Sequence, residues 1–282
     1  MPARWYAGGK GLDDFRDAML NDKSMSNLID YFDATDVFPL IDISGGICYF
    51  LWDKEHQGDC RIITNRQGKR SELIRPLLEK GNNTFIRFNE AIPILRKIVV
   101  NEESNFSLLV SPRKPFGIAT DVKVSQDEKE VKIFAYPDNG FVERNEIKTN
   151  SEWIDCFKIF ISYAYGERGD FPYFVIGKPF FGDKCTCCSE TYLVIAPNES
   201  KEYCNNVIKY IRTKFLRFLV LLKKNTQHAT SKVYSFVPLQ DFTSSSDIDW
   251  SKSVPEIDAQ LHKKYNLTEE EIAFIEKMIK PM

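Results

Sequence analysis

The chain has 282 residues, of which 43% are hydrophobic, 28% charged and 13% aromatic. That suffices for one large domain or two ordinary ones with a buried core, and it excludes disorder, collagen-like repeats and a disulfide scaffold. No apolar run reaches the roughly 18 residues of a membrane helix, and Met1 to Lys10 lacks the charged start and apolar stretch of a signal peptide. A cytoplasmic protein is expected, with no membrane partner and its seven cysteines reduced. The net charge of -2 hides an asymmetry: residues 201–232 sum to +7 and residues 241–276 to -6. A polyanion-binding face is therefore compatible with a near-neutral whole.

In chain order, Leu12, Phe15, Met19 and Leu20 predict a helix over Leu12 to Asn21, with no room for a strand before it. Short runs at Asn27 to Phe32, Ile47 to Trp52 and Cys60 to Thr64 read as strands of one sheet, the second apolar enough to be buried on both faces. Residues 65–105 read as a connecting region with helical pieces at Ser71 to Leu78 and Asn89 to Val99. Strands are then expected at Phe106 to Val110, Val131 to Tyr136, Phe174 to Ile176 and Tyr192 to Ile195, punctuated by Pro and Gly. One long amphipathic helix is predicted from Lys201 to Lys224, and Thr243 to Asp247 reads as a linker. A last helix starts at Thr268, where Thr268-Glu-Glu-Glu271 has the form of a capping box.

Gly8-Gly9-Lys10-Gly11 fits neither the Walker loop nor the dinucleotide fingerprint, and reads as a plain turn. Cys185, Cys187, Cys188 and Cys204 lack the paired spacing of a structural zinc site and read as bystander thiols. His56, His228 and His262 are scattered, so no metal ligand set and no catalytic grouping emerges from them. Asp121-Val-Lys123 and Glu130-Val-Lys132 carry the acid-x-Lys pattern that holds magnesium and orients water in metal-dependent nucleases; that endonuclease reading is the alternative. The strongest physical signal is the basic helix, with Lys209, Arg212, Arg217, Lys223 and Lys224 opposite an apolar stripe. Together with Arg113 and Lys114 these are the expected phosphate contacts, while Asn225, Gln227 and His228, in a following loop, are candidates for base edges.

Several segments, in order, resemble a known family. Pro2-Ala-Arg-Trp-Tyr-Ala-Gly-Gly-Lys-Gly-Leu12, Phe15-Arg16, Ile29-Asp30-Tyr31, Val37-Phe38-Pro39 and Asp42-Ile-Ser-Gly-Gly-Ile-Cys-Tyr-Phe-Leu51 are similar to the later catalytic part of gamma-class adenine-specific DNA methyltransferases of bacterial restriction-modification systems. Ser111-Pro-Arg-Lys-Pro-Phe-Gly117, Thr191-Tyr-Leu-Val194, Lys214-Phe-Leu-Arg-Phe218, Val233-Tyr-Ser-Phe-Val-Pro-Leu239 and the tail from Ile257 to Pro281 resemble the target-recognition part that follows.

The resemblance implies a mixed α/β fold: the end of a truncated Rossmann-like sheet over 1–65, an α+β target-recognition domain over 66–246, and a helical tail over 247–282. Such enzymes move a methyl group from S-adenosylmethionine to a flipped-out adenine, using a glycine-rich cofactor loop and an Asn-Pro-Pro-Tyr loop. This sequence has no Pro-Pro pair and no glycine cluster fitting the cofactor loop. The expected function is sequence-specific binding of double-stranded DNA, with no catalytic residues and no cofactor for this chain alone. S-adenosylmethionine is expected only with a separate polypeptide carrying the catalytic half.

Overall fold

The computed structural model describes residues 1–7, 11–41, 43, 45–80, 82–99, 104–167 and 171–282. Gly8, Gly9 and Lys10 of the expected turn lie outside the described residues. The chain divides into two compact units, Met1–Ile94 and Leu95–Met282. Among the described residues it is a mixed α/β protein with three sheets and seven α-helices.

The first unit opens on one helical turn, α1 (Arg4–Ala7), and α2 (Asp13–Asn21). Its sheet has the order β2-β1-β3-β4, with β1 (Met25–Tyr31) parallel to β3 (Cys60–Arg66) and antiparallel to β2 (Ile47–Trp52). Residues 65 and 66 both belong to β3. Two expectations change here. β2 is an edge strand with Tyr49, Leu51 and Trp52 about half exposed, so it is not buried on both faces. Ser71 to Leu78 is not helical: Gln67 (φ 52) and Gly68 (φ 69) both take left-handed backbone, the geometry of a tight hairpin, and return the chain as β4 (Lys69–Arg75), antiparallel to β3. Trp5, Tyr6, Leu20, Leu28, Ile62 and Phe85 form the core. Beside it Asp30 is fully buried, bound by Arg87 through Nε (2.8 Å) and Nη2 (2.7 Å) and by the Tyr6 hydroxyl. A pair made with both carboxylate oxygens is the form in which a buried charge is tolerated. Burial foremost, then the Asp30 charge, pushes the Tyr6 phenol up. Helix α3 (Ala91–Val99), read from the sequence as Asn89 to Val99, carries the chain into the second unit.

The second unit contains two three-stranded sheets. One has the order β6-β5-β9, from β5 (Val131–Phe134), β6 (Gly140–Val142) and β9 (Thr186–Cys188); the other has the order β10-β7-β8, from β7 (Phe157–Ser162), β8 (Phe180–Gly182) and β10 (Tyr192–Asn198). Phe106 to Leu109 is a 3-10 turn instead of a strand, because the Asn105 carboxamide oxygen accepts the Ser107 N–H and closes the backbone. Phe174 to Ile176 is not a strand either. Val175 has φ 73 and gives its N–H to Glu167, which removes it from extended geometry.

The predicted long helix is two, α4 (Lys201–Arg212) and α5 (Lys214–Lys223), separated by Thr213 at φ -61, ψ 149. Thr213 is an N-cap: its Oγ1 accepts the Leu216 N–H. Thr243 to Asp247 is a turn between buried Phe242 and Ile248. The chain ends in α6 (Val254–Lys264) and α7 (Glu269–Met278), the latter opened by the expected Thr268–Glu271 capping box.

Candidate nucleic-acid interface

The predicted contacts fall into two groups with different surroundings. The first gathers at the end of β7. After Ser162 the chain runs through Tyr163, Ala164 and Tyr165, and the loop leaving α5 pairs with it: Ala229 N donates to Tyr163 O (2.8 Å) and Tyr165 N to Gln227 O (2.7 Å). Ala164 and His228 form an antiparallel bridge. The His228 ring stacks on Tyr163 at 4.8 Å and 18°. From a separate loop, the Arg113 guanidinium lies 5.0 Å over the same Tyr163 ring. Arg113 and Lys114 both pair with Glu190, at 3.2 and 3.5 Å, and keep about half of their side-chain surface in solvent. Lys114 itself sits at φ 60. Asn225, Thr226 and Gln227 are exposed. Arg113, Lys114, Lys224, Asn225, Gln227 and His228 thus converge on one edge, although two distant stretches of chain supply them.

Glu190 is held from below by Thr120, whose N–H and hydroxyl both donate to it at 3.2 Å. Burial works to raise its carboxyl, but the Thr120 hydrogen bonds and the two cations outweigh it and hold it below the usual range. Lys224 donates to Tyr165 O (2.6 Å), and burial lowers its ammonium to about 8. Tyr163 and Glu190 belong to this edge but carry no local sequence signal. Long-range backbone pairing brings them there: Tyr163 bonds Thr191 and Ala229, and Glu190 N donates to Ile118 O.

The second group is committed elsewhere. Arg217 is fully buried, donating to Thr213 O (3.1 Å), Arg212 O (3.0 Å) and Phe174 O (3.5 Å). Lys209 donates to Trp250 O (2.5 Å) and Lys252 O (3.3 Å), and Lys223 lies 4.5 Å from the Phe236 ring centroid. Arg212 lines a cavity against α6. The single helix read from periodicity is therefore two, and its basic residues diverge: the tail takes Lys209, Arg217 turns inward, and Lys223 and Lys224 lie against Phe236 and Tyr165.

Asp121 to Lys123 lies outside any strand. Glu130 accepts the Arg144 N–H, and Lys132 lies 5.5 Å from the Phe134 ring centroid. Cys187, Cys188 and Cys204 are buried, and burial pushes Cys187 up to about 12 and Cys204 to about 11, so they are thiols at neutral pH. Among the described residues, no three His, Cys, Asp or Glu side chains are grouped to hold a metal ion, and no helix is long and apolar enough to cross a membrane.

No family model matches the chain. Over 76 residues, 26% of its length, it is 34% identical to a Mycoplasma pneumoniae protein described as an uncharacterized adenine-specific methylase, and that stretch is 18% of the relative's own length. Among solved structures, the type IIG restriction endonuclease BpuSI matches with a TM-score of 0.36 and 11% identity over 91% of this chain and 41% of that one. A likeness that low carries no argument about the fold. The sequence similarity links part of this chain to a protein described as an adenine-specific methylase, of which it spans less than a fifth.

Proposed function

We propose that this chain reads double-stranded DNA for a gamma-class adenine-specific DNA methyltransferase of a restriction-modification system. In this reading the cofactor loop and the Asn-Pro-Pro-Tyr loop are supplied by residues other than these 282. The first unit is the end of the catalytic sheet, and the second is the target-recognition part with its helical tail. The observation that carries the reading is the convergence of two basic, polar loops on the Tyr163 edge, and the partial identity to an adenine-specific methylase supports it. Arg113, Lys114 and Lys224 are assigned to phosphates. Asn225, Gln227 and His228 are assigned to base edges, since carboxamides and imidazoles can both donate and accept in the major groove.

Three phosphate contacts correspond to a log–log salt slope near -3, or about a 40-fold loss of affinity between about 50 and 200 mM salt. A titration of the full chain with duplex DNA at those two concentrations tests the assignment. No binding at the lower salt, or an affinity indifferent to salt, would remove it.

A further inference from the structure

A concave site lies in the second unit, and the case for it does not rest on the DNA-reading proposal. It is a cavity of about 330 Å³ between the α4–α5 junction, α6 and α7. Its polar wall is Arg212, Lys214, Arg217, Asp258, His262 and Glu276, and Val254, Pro255 and Ile272 are among its apolar residues. Most of the polar groups are engaged. Asp258 accepts the Lys214 and Phe215 N–H groups at 2.9 Å each, so the start of α5 is already capped. Glu276 pairs with Lys214. Arg217 is held on carbonyl oxygens.

Two groups remain. Arg212 Nε and His262 Nε2 are both buried and have no hydrogen-bond partner, although His262 is 94% removed from solvent. Buried donors without acceptors are costly and rare in native proteins. Arg212 can only donate. Asp258 and Glu276 line the cavity together with the three cations, so the case for an incoming anion rests on the two unpartnered groups and not on net charge.

We propose that this cavity binds a small organic anion, with a carboxylate or phosphate head on Arg212 Nε and His262 Nε2 and a compact apolar body against Val254, Pro255 and Ile272. A volume of this size falls in the range of small-molecule sites and exceeds what a bare oxyanion fills. Burial foremost holds the His262 imidazole below its usual value, so it is neutral at pH 7 and in its Nε2–H tautomer can donate to an anion. An anion beside it raises that value.

The test uses the full chain and the imidazole resonances of its three histidines, with His262 assigned by its absence in His262→Gln. Inorganic phosphate, phenyl phosphate and benzoate are titrated separately up to about 10 mM. The expected result is a saturable shift of His262, with His56 and His228 unmoved, for phenyl phosphate or benzoate and more weakly for phosphate. Whichever organic probe binds better identifies the head group. Arg212→Gln, at a partly buried position, should keep the fold and weaken binding at least tenfold. No saturable shift with any probe, or a shift unaffected by Arg212→Gln, overturns the proposal. So does a duplex DNA that moves His262 where the small anions do not, since the cavity would then belong to the DNA surface. Failure of DNA binding at the Tyr163 edge leaves this outcome unchanged.

Discussion

Arg217 and Arg113 show how far one residue type can diverge in role. Arg217 spends its guanidinium on the carbonyls at the end of α4 and is 0% exposed, whereas Arg113 has about half of its side chain in solvent. Burial foremost lowers the Arg217 guanidinium to about 10, against the opposing pull of the Asp258 and Glu167 charges, and its hydrogen bonds go to backbone carbonyls. Arg217→Leu should therefore lower the unfolding free energy by about 2 to 4 kcal/mol, since it orphans buried carbonyl groups, while leaving DNA affinity of the folded protein unchanged. Arg113→Ala should do the reverse: stability within about 0.5 kcal/mol of the parent and a salt slope reduced by about 1. Urea unfolding and DNA titration of both variants check this, and a stable Arg217→Leu protein that loses DNA would return Arg217 to the phosphate contacts. Glu190 adds a second residue-scale expectation. It pairs with Arg113 and Lys114, and under the proposed function it competes with phosphate for them, so Glu190→Gln should tighten DNA binding several-fold at low salt. Weaker binding in that variant would mean that Glu190 positions the two cations instead of restraining them.

The elements that could be read from the sequence are those whose determinants are local. The α7 start is written in four consecutive residues, and the structure shows both hydrogen bonds of that box. The α4–α5 break was not legible, because nothing between Lys201 and Lys224 is Gly or Pro. Part of what makes it favourable is Asp258, 43 residues downstream of Phe215, which takes two N–H groups of the new helix start. Strand β7 was missed for a related reason. Lys158 interrupts its apolar run, yet it is fully buried because Asp183 and Thr186 from the β8–β9 turn accept its ammonium at 3.0 to 3.2 Å. The Tyr163 edge was half legible: both loops were visible as basic and polar, but their meeting depends on pairing between residues 163–165 and 227–229.

The Asp258 cap also makes a pH prediction. Burial foremost raises its carboxyl to about 6, against the opposing pull of the two N–H groups, and the usual unfolded value is about 3.9. The folded state thus binds a proton more tightly than the unfolded state. This contribution is fully present below about pH 4 and is lost as pH rises through about 6, at up to about 1.4 kcal/mol per pH unit. Other carboxyls titrate in the same range, so the quantity to measure is the difference in unfolding free energy between the parent and Asp258→Asn. It should fall from pH 4 to pH 6 and be flat above about 7; a flat difference throughout would show that Asp258 is not the titrating group.

At the scale of the whole molecule, the basic 201–232 and acidic 241–276 segments are not independent of one another. They pack together: Glu276 on Lys214, Asp258 on the start of α5, and carbonyls of residues 250 and 252 on Lys209. Much of the +7 is neutralised or buried inside one unit, leaving the Tyr163 edge to act with few charges. Under the proposed function, few charges mean weak DNA binding by this chain alone, whereas a methyltransferase needs the flipped adenine held through a chemical step. The proposed function therefore expects catalysis only in combination. Incubated with duplex DNA and radiolabelled S-adenosylmethionine, the chain alone should transfer no methyl group. Addition of a polypeptide bearing the cofactor and Asn-Pro-Pro-Tyr loops should restore methylation of adenine, and Arg113→Ala together with Lys114→Ala should reduce that restored rate as much as it reduces DNA affinity. Label incorporated by the chain alone would refute the division of labour. Restored methylation indifferent to the double substitution would place DNA reading on another surface.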